Sequence, residues 1–459
     1  MSANGRIVIV GAGPTGLGAA WRLTEAGYDD WALYESAGYA GGLATSVVDE
    51  QGFTWDLGGH VLFSHYKYFD DVMDTALGDA WIEHVREAWV WIRDRWIPYP
   101  FQNNIWRLPN DELIACLNGL LELQGAPRER PQSFRDWLLA SFGTGLCDTF
   151  MLPYNRKVWA YDPSRLGVGW MGERVATIDL KRILANVVLR RDDVSWGPNS
   201  TFRFPRSGGT GAIWKAVSAR LPAEKQHFNH TVAAVDVARK QITFADGKAV
   251  SYDALISTMP LDHLLRSIPG RADLAGAAAQ FVYSSSHIVG IGMAGAPPAD
   301  LATKCWIYFP EDAVPFYRAT VFSNYSPNNV PTGSPHWSLM AEVSESPDKP
   351  VRHESLVADV IEGFLKCGFI DPSAIVTSWH RRLDHGYPTP WLGRDHLLDP
   401  IEKTLRAESV LSRGRFGAWK YEVSNQDHSF MQGVEAAESI LSGADEPTFA
   451  GSESGKRDR

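Results

Sequence analysis

Residues 6–27 read RIVIVGAGPTGLGAAWRLTEAG. The run RIVIV is a short apolar block that ends at Gly11, the pattern of a strand buried on both faces of a parallel sheet. Gly11, Gly13 and Gly16 continue as GxGxxG. Leu17, Ala20, Trp21 and Leu23 then recur at helical spacing, and Gly27 is a stop signal. Gly11 permits a tight turn, Gly13 lets backbone approach a pyrophosphate, and Gly16 lets helix pack on strand. Thr15 stands in the first helical turn, where free N–H groups and the positive dipole end favour phosphate. A second apolar strand, DWALYE, ends in Glu35, 24 residues after Gly11 and near the spacing of a ribose-binding acid. Strand, glycine turn, helix and acid together predict a Rossmann-like dinucleotide site in an α/β fold. An acid rather than an arginine at 35 suits FAD or NAD better than NADP. Gly42 and Leu43 add a second glycine turn close behind Glu35, which favours FAD.

Downstream stretches return to this nucleotide domain. TVAAVDV, a hairpin turn at Asp246-Gly247 and the strand-like YDALISTMP precede a C-terminal helical pattern that brings Asn425 and Gln426 toward the flavin. Two segments are inserted. Residues 105–196 read as helical: Leu113, Leu117, Leu120 and Leu121 share a face, and SFRDWLLASFG opens with the capping pair Ser133 and Asp136 and stops at Gly143. Residues 282–403 are rich in short strands, and VREAWVWIRDRWIPYP reads as a hairpin turning at Arg93-Asp94 that joins the same sheet. The layout expected is a discontinuous FAD domain (1–83, 200–281, 404–445), a helical domain (105–196), an antiparallel β-sheet domain (84–104, 282–403) and a disordered tail (446–459).

Composition narrows the function. The chain has 459 residues and a formal net charge of −10, which disfavours nucleic acid and anionic membrane as general partners. No apolar run reaches the length of a membrane span. MSANGRIVIVGAG enters a strand directly, so no secretory leader is expected. The four cysteines, Cys116, Cys147, Cys305 and Cys367, form no CxxC pair. Their scatter suits a reducing, cytoplasmic setting and no zinc knuckle. His60 and His65 stand five apart, off the spacing of a helical ligand pair, so no metal is expected there.

The blocks GGHVLFSHYKYFDD, WIPYPFQNNI, PYNRKVWA, WMGERVA, WGPNSTFRFPRSGGTG, CWIYFPEDAVPFYRATVFSNYSP, HRRLDHGYPTP and RGRFGAWKYEVSNQDHSF run through nearly the whole chain. In order, they resemble the UDP-galactopyranose mutases of the eukaryotic type. The resemblance implies interconversion of UDP-galactopyranose and UDP-galactofuranose through a covalent flavin N5–sugar adduct, active only with reduced FAD. It implies NADPH as a transient reductant and a UDP-sugar as the partner. It leaves the oligomeric state open, because NYSPNNVPTGSPHW is short where some relatives carry an insertion.

Residue by residue, the resemblance implies Arg174 and Arg318 as cations for the diphosphate, suited to bidentate charge-assisted bonds. Tyr308, Tyr325, Tyr387 and Tyr421 stand near the same diphosphate. Tyr99, Phe101, Gln102, Asn155 and Trp159 belong to the uridine side, and Phe63 and Asn199 to the sugar and flavin. Val232, Arg415, Asn425, Gln426 and Ser429 join the glycine-turn residues as cofactor contacts. Gly58, Gly59 and His60 form a loop against the isoalloxazine, where the His60 backbone carbonyl accepts the N5 proton and its imidazole is a second candidate for catalysis. Rival readings are a redox flavoenzyme of the same fold group, a mutase for another UDP-sugar, and a catalytically silent FAD-binding scaffold.

Overall fold

The computed structural model describes residues 5–124, 130–171, 178–194, 200–333 and 335–451. RIVIV becomes the strand Ile7–Val10, central in a parallel sheet ordered Val410–Ser412, Ala254–Ser257, Ile7–Val10, Trp31–Tyr34, Gln226–His227. Apolar side chains on both faces explain that position: Val8, Ile9, Leu33 and Leu255 are fully buried. The helix Pro14–Glu25 follows the glycine turn, and a Cβ on Gly16 would lie 1.8 Å from the Gly11 carbonyl oxygen. The helix Gln426–Ser442 packs across it at Gly433, whose Cβ would lie 1.9 Å from the Thr15 carbonyl oxygen. Both glycines let backbones approach where any side chain would hold them apart.

A second sheet runs Ile375–Pro388, Tyr283–Ala294, His336–Glu345, Arg318–Val321, Trp306–Tyr308, Ala88–Ile92, Arg95–Pro98. The hairpin turns at Arg93 and Asp94, both at φ 53 as a tight primed turn requires. The expectation of a wholly antiparallel sheet needs one correction, since Trp306–Tyr308 pairs parallel to Ala88–Ile92. One face of this sheet carries Ile288 and Met340 into the core shared with the helical segment. The other packs Val289, Ile291 and Val343 under the helix Leu356–Lys366.

The helical segment contains Asn110–Glu122, Phe134–Leu146, Leu152–Trp159 and Leu180–Leu189. Ser133 and Asp136 form the reciprocal capping box. The chain kinks at Gly143 (φ 72) and stays helical to Leu146, and Leu121 turns out to be exposed rather than part of the buried stripe.

Some elements cross the limits read from the sequence. Trp81–Val85 pairs antiparallel with Thr201–Pro205, tying two segments together. The helix Arg394–Ala407 buries Leu398, Ile401 and Leu405 beside Val8, Val10 and Val410, so it packs on the nucleotide sheet rather than with the strands around it in sequence. The tail is a further correction. Pro447–Ala450 is helical, Glu446 is buried against Arg413, and Thr448 is fixed by Glu435; residues 452–459 lie outside the described residues. No helix among the described residues is long and apolar enough to cross a membrane.

Candidate active site

The carboxyl ends of the parallel strands and one face of the second sheet enclose a cavity of ≈ 990 Å³. This is where ligands enter open α/β sheets. Gly11, Gly13, Thr15, Glu35, Gly42 and Leu43 line one arm, and Val232, Arg415, Asn425, Gln426 and Ser429 flank it. Gly16 stays outside the lining, in its packing role. These residues fit a flavin dinucleotide. A Cβ on Gly13 would stand 3.8 Å from Gly42 Cα, so the two glycine turns keep a bare backbone cradle. Glu35 is held at the end of its strand, with Oε2 accepting from the Ala12 N–H (2.7 Å) and Oε1 from the Ala37 N–H (2.8 Å). Its remaining lone pairs suit ribose hydroxyls. Arg415 donates to the Ser424 hydroxyl (2.9 Å) and the Gly386 carbonyl (3.0 Å), which fixes its guanidinium at the wall.

Gly59, His60, Phe63, Tyr308, Arg318 and Tyr325 line the other arm. Gly58 lies just behind the lining at φ 132, a conformation that favours glycine. The His60 N–H donates to the Gly58 carbonyl (2.8 Å), and the His60 carbonyl accepts from the Thr210 hydroxyl (3.3 Å). The Thr210 N–H donates to Asp56 (3.1 Å), a fully enclosed carboxyl whose pKa burial pushes up to about 7. Burial, and then the charge of Arg415, push the His60 imidazole down to about 4, so it stays neutral at physiological pH. Its Nδ1 is buried with no hydrogen-bond partner among the described residues. A neutral imidazole of such low basicity is a poor general base near pH 7, which leaves the backbone role as the stronger reading of this loop.

The residue that sequence reasoning missed is Glu342. Its Oε1 accepts from Arg318 Nε (2.7 Å) and the Gly59 N–H (3.1 Å), and its Oε2 from Arg318 Nη2 (2.8 Å) and the Tyr317 hydroxyl (2.7 Å). Burial alone would raise the Glu342 carboxyl, but the Arg318 charge together with the hydrogen bonds from Arg318 and Tyr317 outweighs it and holds the group below the usual carboxylate range. The buried anion therefore pins both the cation and the glycine loop. Arg318 commits Nε and one Nη2 proton to it, leaving Nη1 and the other Nη2 proton for a ligand. The available signal was an acid set within the apolar run SLMAEV. Arg86, with its guanidinium 4.8 Å over the Trp306 ring, and Trp306 also line the cavity and were not singled out.

Seven further expected ligand residues, Tyr99, Phe101, Gln102, Asn155, Trp159, Tyr387 and Tyr421, do not line the cavity. Tyr99 packs on Tyr308 with ring centroids 5.0 Å apart, and Tyr154 on the same ring at 5.3 Å. Trp159 is buried and packs edge-on to Tyr421 (4.8 Å) and Tyr387 (5.8 Å). Phe101 is fully buried and stacks on Phe150 at 4.5 Å. Gln102 is buried, and Asn155 Nδ2 donates to the Met151 carbonyl one turn back (2.8 Å). Arg174 and Asn199 lie outside the described residues.

The Gly59 position yields a prediction. A Cβ there would stand 3.1 Å from Glu342 Oε1 and 3.2 Å from Arg318 Nη2. Gly59→Ala must push on the ion pair, and misplacement of that order is expected to reduce kcat roughly ten- to a hundredfold. His60→Gln keeps the backbone and should lose less. Turnover of the reduced protein measures both; equal or reversed losses would contradict the backbone role.

A dinucleotide fold with a glycine cradle, a terminal ribose acid and a cation-bearing second arm defines a flavin-dependent enzyme. The model of the flavin containing amine oxidoreductases matches residues 14–440. Among solved structures, a reduced UDP-galactopyranose mutase is 53% identical with a TM-score of 0.95, over 97% of this chain and 96% of that one. A putrescine oxidase variant (16%, TM-score 0.64, 96% and 99% covered) and a fatty acid isomerase from P. acnes (14%, 0.63, 95% and 98%) share the fold. The chain belongs to the flavin containing amine oxidoreductase family, and within it to the UDP-galactopyranose mutases. It is an FAD-dependent enzyme of the mutase type.

Proposed function

We propose that the chain interconverts UDP-galactopyranose and UDP-galactofuranose, with the UDP-sugar in the arm bounded by Arg318, Tyr308, Tyr325 and Phe63. The observation that carries this reading is the placement of Arg318, a pinned cation in the same cavity as the Gly59–His60 loop. When bound and reduced, the flavin supplies the nucleophilic nitrogen. Arg318 presents its free N–H groups to the diphosphate and stabilises the negative charge that develops as UDP leaves. Tyr308 and Tyr325 line that arm, where phenol hydroxyls can donate without adding charge. Tyr387 backs the cavity wall under the Arg415 guanidinium, 4.9 Å over its ring, and Tyr421 packs beside Tyr387. Arg174 is assigned as the second diphosphate cation and Asn199 as a sugar contact; Tyr99, Phe101, Gln102, Asn155 and Trp159, which do not line the cavity in this structure, are assigned to the uridine side on the family resemblance alone. The His60 carbonyl, already oriented by Thr210, is assigned as acceptor of the flavin N–H. NADPH is the proposed reductant, and a cytoplasmic setting is proposed from the scattered thiols.

The test is one anaerobic assay. The flavin is reduced with dithionite, or with NADPH while bleaching of its absorbance is followed. UDP-galactofuranose is then added, and UDP-galactopyranose is quantified by chromatography. Conversion only by reduced protein is expected. UDP binding without conversion, or hydrogen peroxide formed in proportion to substrate, would overturn the mutase reading. Failure of NADPH alone to bleach the flavin removes only the reductant assignment.

A further inference from the structure

The strand Tyr283–Ala294 sends Val289, Ile291 and Met293 to the outer face of the second sheet, and His287 falls in the same row. Its side chain is fully buried, and its ring meets those of His380 and His353. Glu345, at the end of His336–Glu345, reaches it from one side, and His353 covers both from the loop before Leu356–Lys366. Glu345 Oε2 lies 3.1 Å from His287 Nε2, and Oε1 lies 2.6 Å from His353 Nε2. One ligand atom from each of the three residues falls within 4.8 Å of the other two. A tetrahedral zinc ion with bonds near 2.0–2.2 Å holds its ligand atoms roughly 3.3–3.6 Å apart, within small side-chain rotations of this arrangement.

The surroundings are also those of a metal site. His287 Nδ1 lies 3.0 Å from His380 Nε2, so with Nε2 on a metal the Nδ1 proton has an acceptor in place. Arg382 Nε donates to Glu345 Oε2 (2.8 Å) and orients the carboxylate. Its own charge is met by Asp384, which lessens its opposition to a cation. None of these residues lines the flavin cavity.

We propose that His287, Glu345 and His353 bind one divalent transition-metal ion of the Zn2+ class on the outer face of the sheet. Two imidazoles and a carboxylate suit Zn2+ and its transition-metal neighbours, whereas Mg2+ and Ca2+ demand oxygen ligands. The ion joins the strands bearing His287 and Glu345 to the 347–355 loop, with one coordination position left for solvent.

The test uses the full-length flavoprotein stripped with chelator and titrated with Zn2+ against a chromophoric competitor. Wild type is expected to take one ion per chain. His353→Gln alters an exposed side chain and should weaken binding at least tenfold, with flavin content and circular dichroism unchanged. His380→Leu should weaken it about tenfold by removing the acceptor for His287. Co2+ in place of Zn2+ should give visible d–d bands without a thiolate charge-transfer band. No uptake by wild type at saturating Zn2+, equal affinity in His353→Gln, or a thiolate band would each overturn the proposal.

Discussion

Replacing Glu342 with alanine is expected to reduce kcat by roughly 10²–10³-fold, the scale seen when a preorganised electrostatic contact is removed. Glu342 does not line the cavity; it holds Arg318 by two hydrogen bonds and the Gly59 N–H by a third. Its loss frees a cation built to face the diphosphate and loosens the flavin loop at the same time. It also leaves Arg318 without its counter-charge, at a stability cost of up to about 3–5 kcal/mol. The side chain of Arg318 keeps 22% exposure toward the cavity, so water relieves part of that penalty. Glu342→Gln separates shape from charge. The amide oxygen can still accept from Arg318 or Gly59 but cannot serve all the donors or supply the counter-charge, so kcat should fall less than in the alanine variant while part of the stability loss remains. UDP affinity is a further discriminator, since a mispositioned Arg318 weakens UDP binding and a merely loosened fold does not. Equal kcat in wild type and Glu342→Ala would remove Glu342 from the account.

The second large effect concerns the C-terminus. Truncation after Gly443 is expected to destabilise the protein by about 3–5 kcal/mol, measured by urea unfolding. The Arg413 side chain has no solvent exposure and is forked by two carboxylates, Glu402 (2.8 and 3.0 Å) and Glu446. The Phe449 ring lies 3.8 Å from its guanidinium carbon. Thr448 bonds Glu435 through both N–H and hydroxyl (2.9 and 2.8 Å), and Tyr66 meets the same hydroxyl at 3.0 Å. Truncation removes one of two counter-charges from a buried arginine, its aromatic cover and a partner of buried Glu435. Glu446→Gln keeps the fork's shape and Glu402, so it should cost less than half as much. Unfolding curves for truncated and full-length protein that coincide would show the segment to be dispensable.

These predictions mark where sequence reading ran short. The cofactor arm was legible because its chemistry is local. Gly11, Gly13, Gly16 and Glu35 lie within one βαβ unit, and their spacing alone reports the turn, the packing and the ribose acid. The diphosphate arm was legible only through resemblance, since nothing near Arg318 in the chain distinguishes it from a surface arginine. Its meaning depends on Glu342, one strand away, and on Gly59, 283 residues before that acid. The tail misread has the same origin. A polar stretch reads as disordered until the buried arginine that needs its carboxylate is found.

The amino-acid sequence by itself determined the elements whose information is short-range: the strand–glycine–helix opening, the Arg93-Asp94 hairpin and the capping box at Ser133. Backbone sterics and first-neighbour hydrogen bonds settle such features without the rest of the chain. Tertiary structure alone decided the Glu342–Arg318–Gly59 junction, the Arg413 clamp and the His287–Glu345–His353 cluster. Each is a charge or imidazole taken out of water, tolerable only beside a partner brought from a distant segment, and sequence spacing carries no record of that meeting.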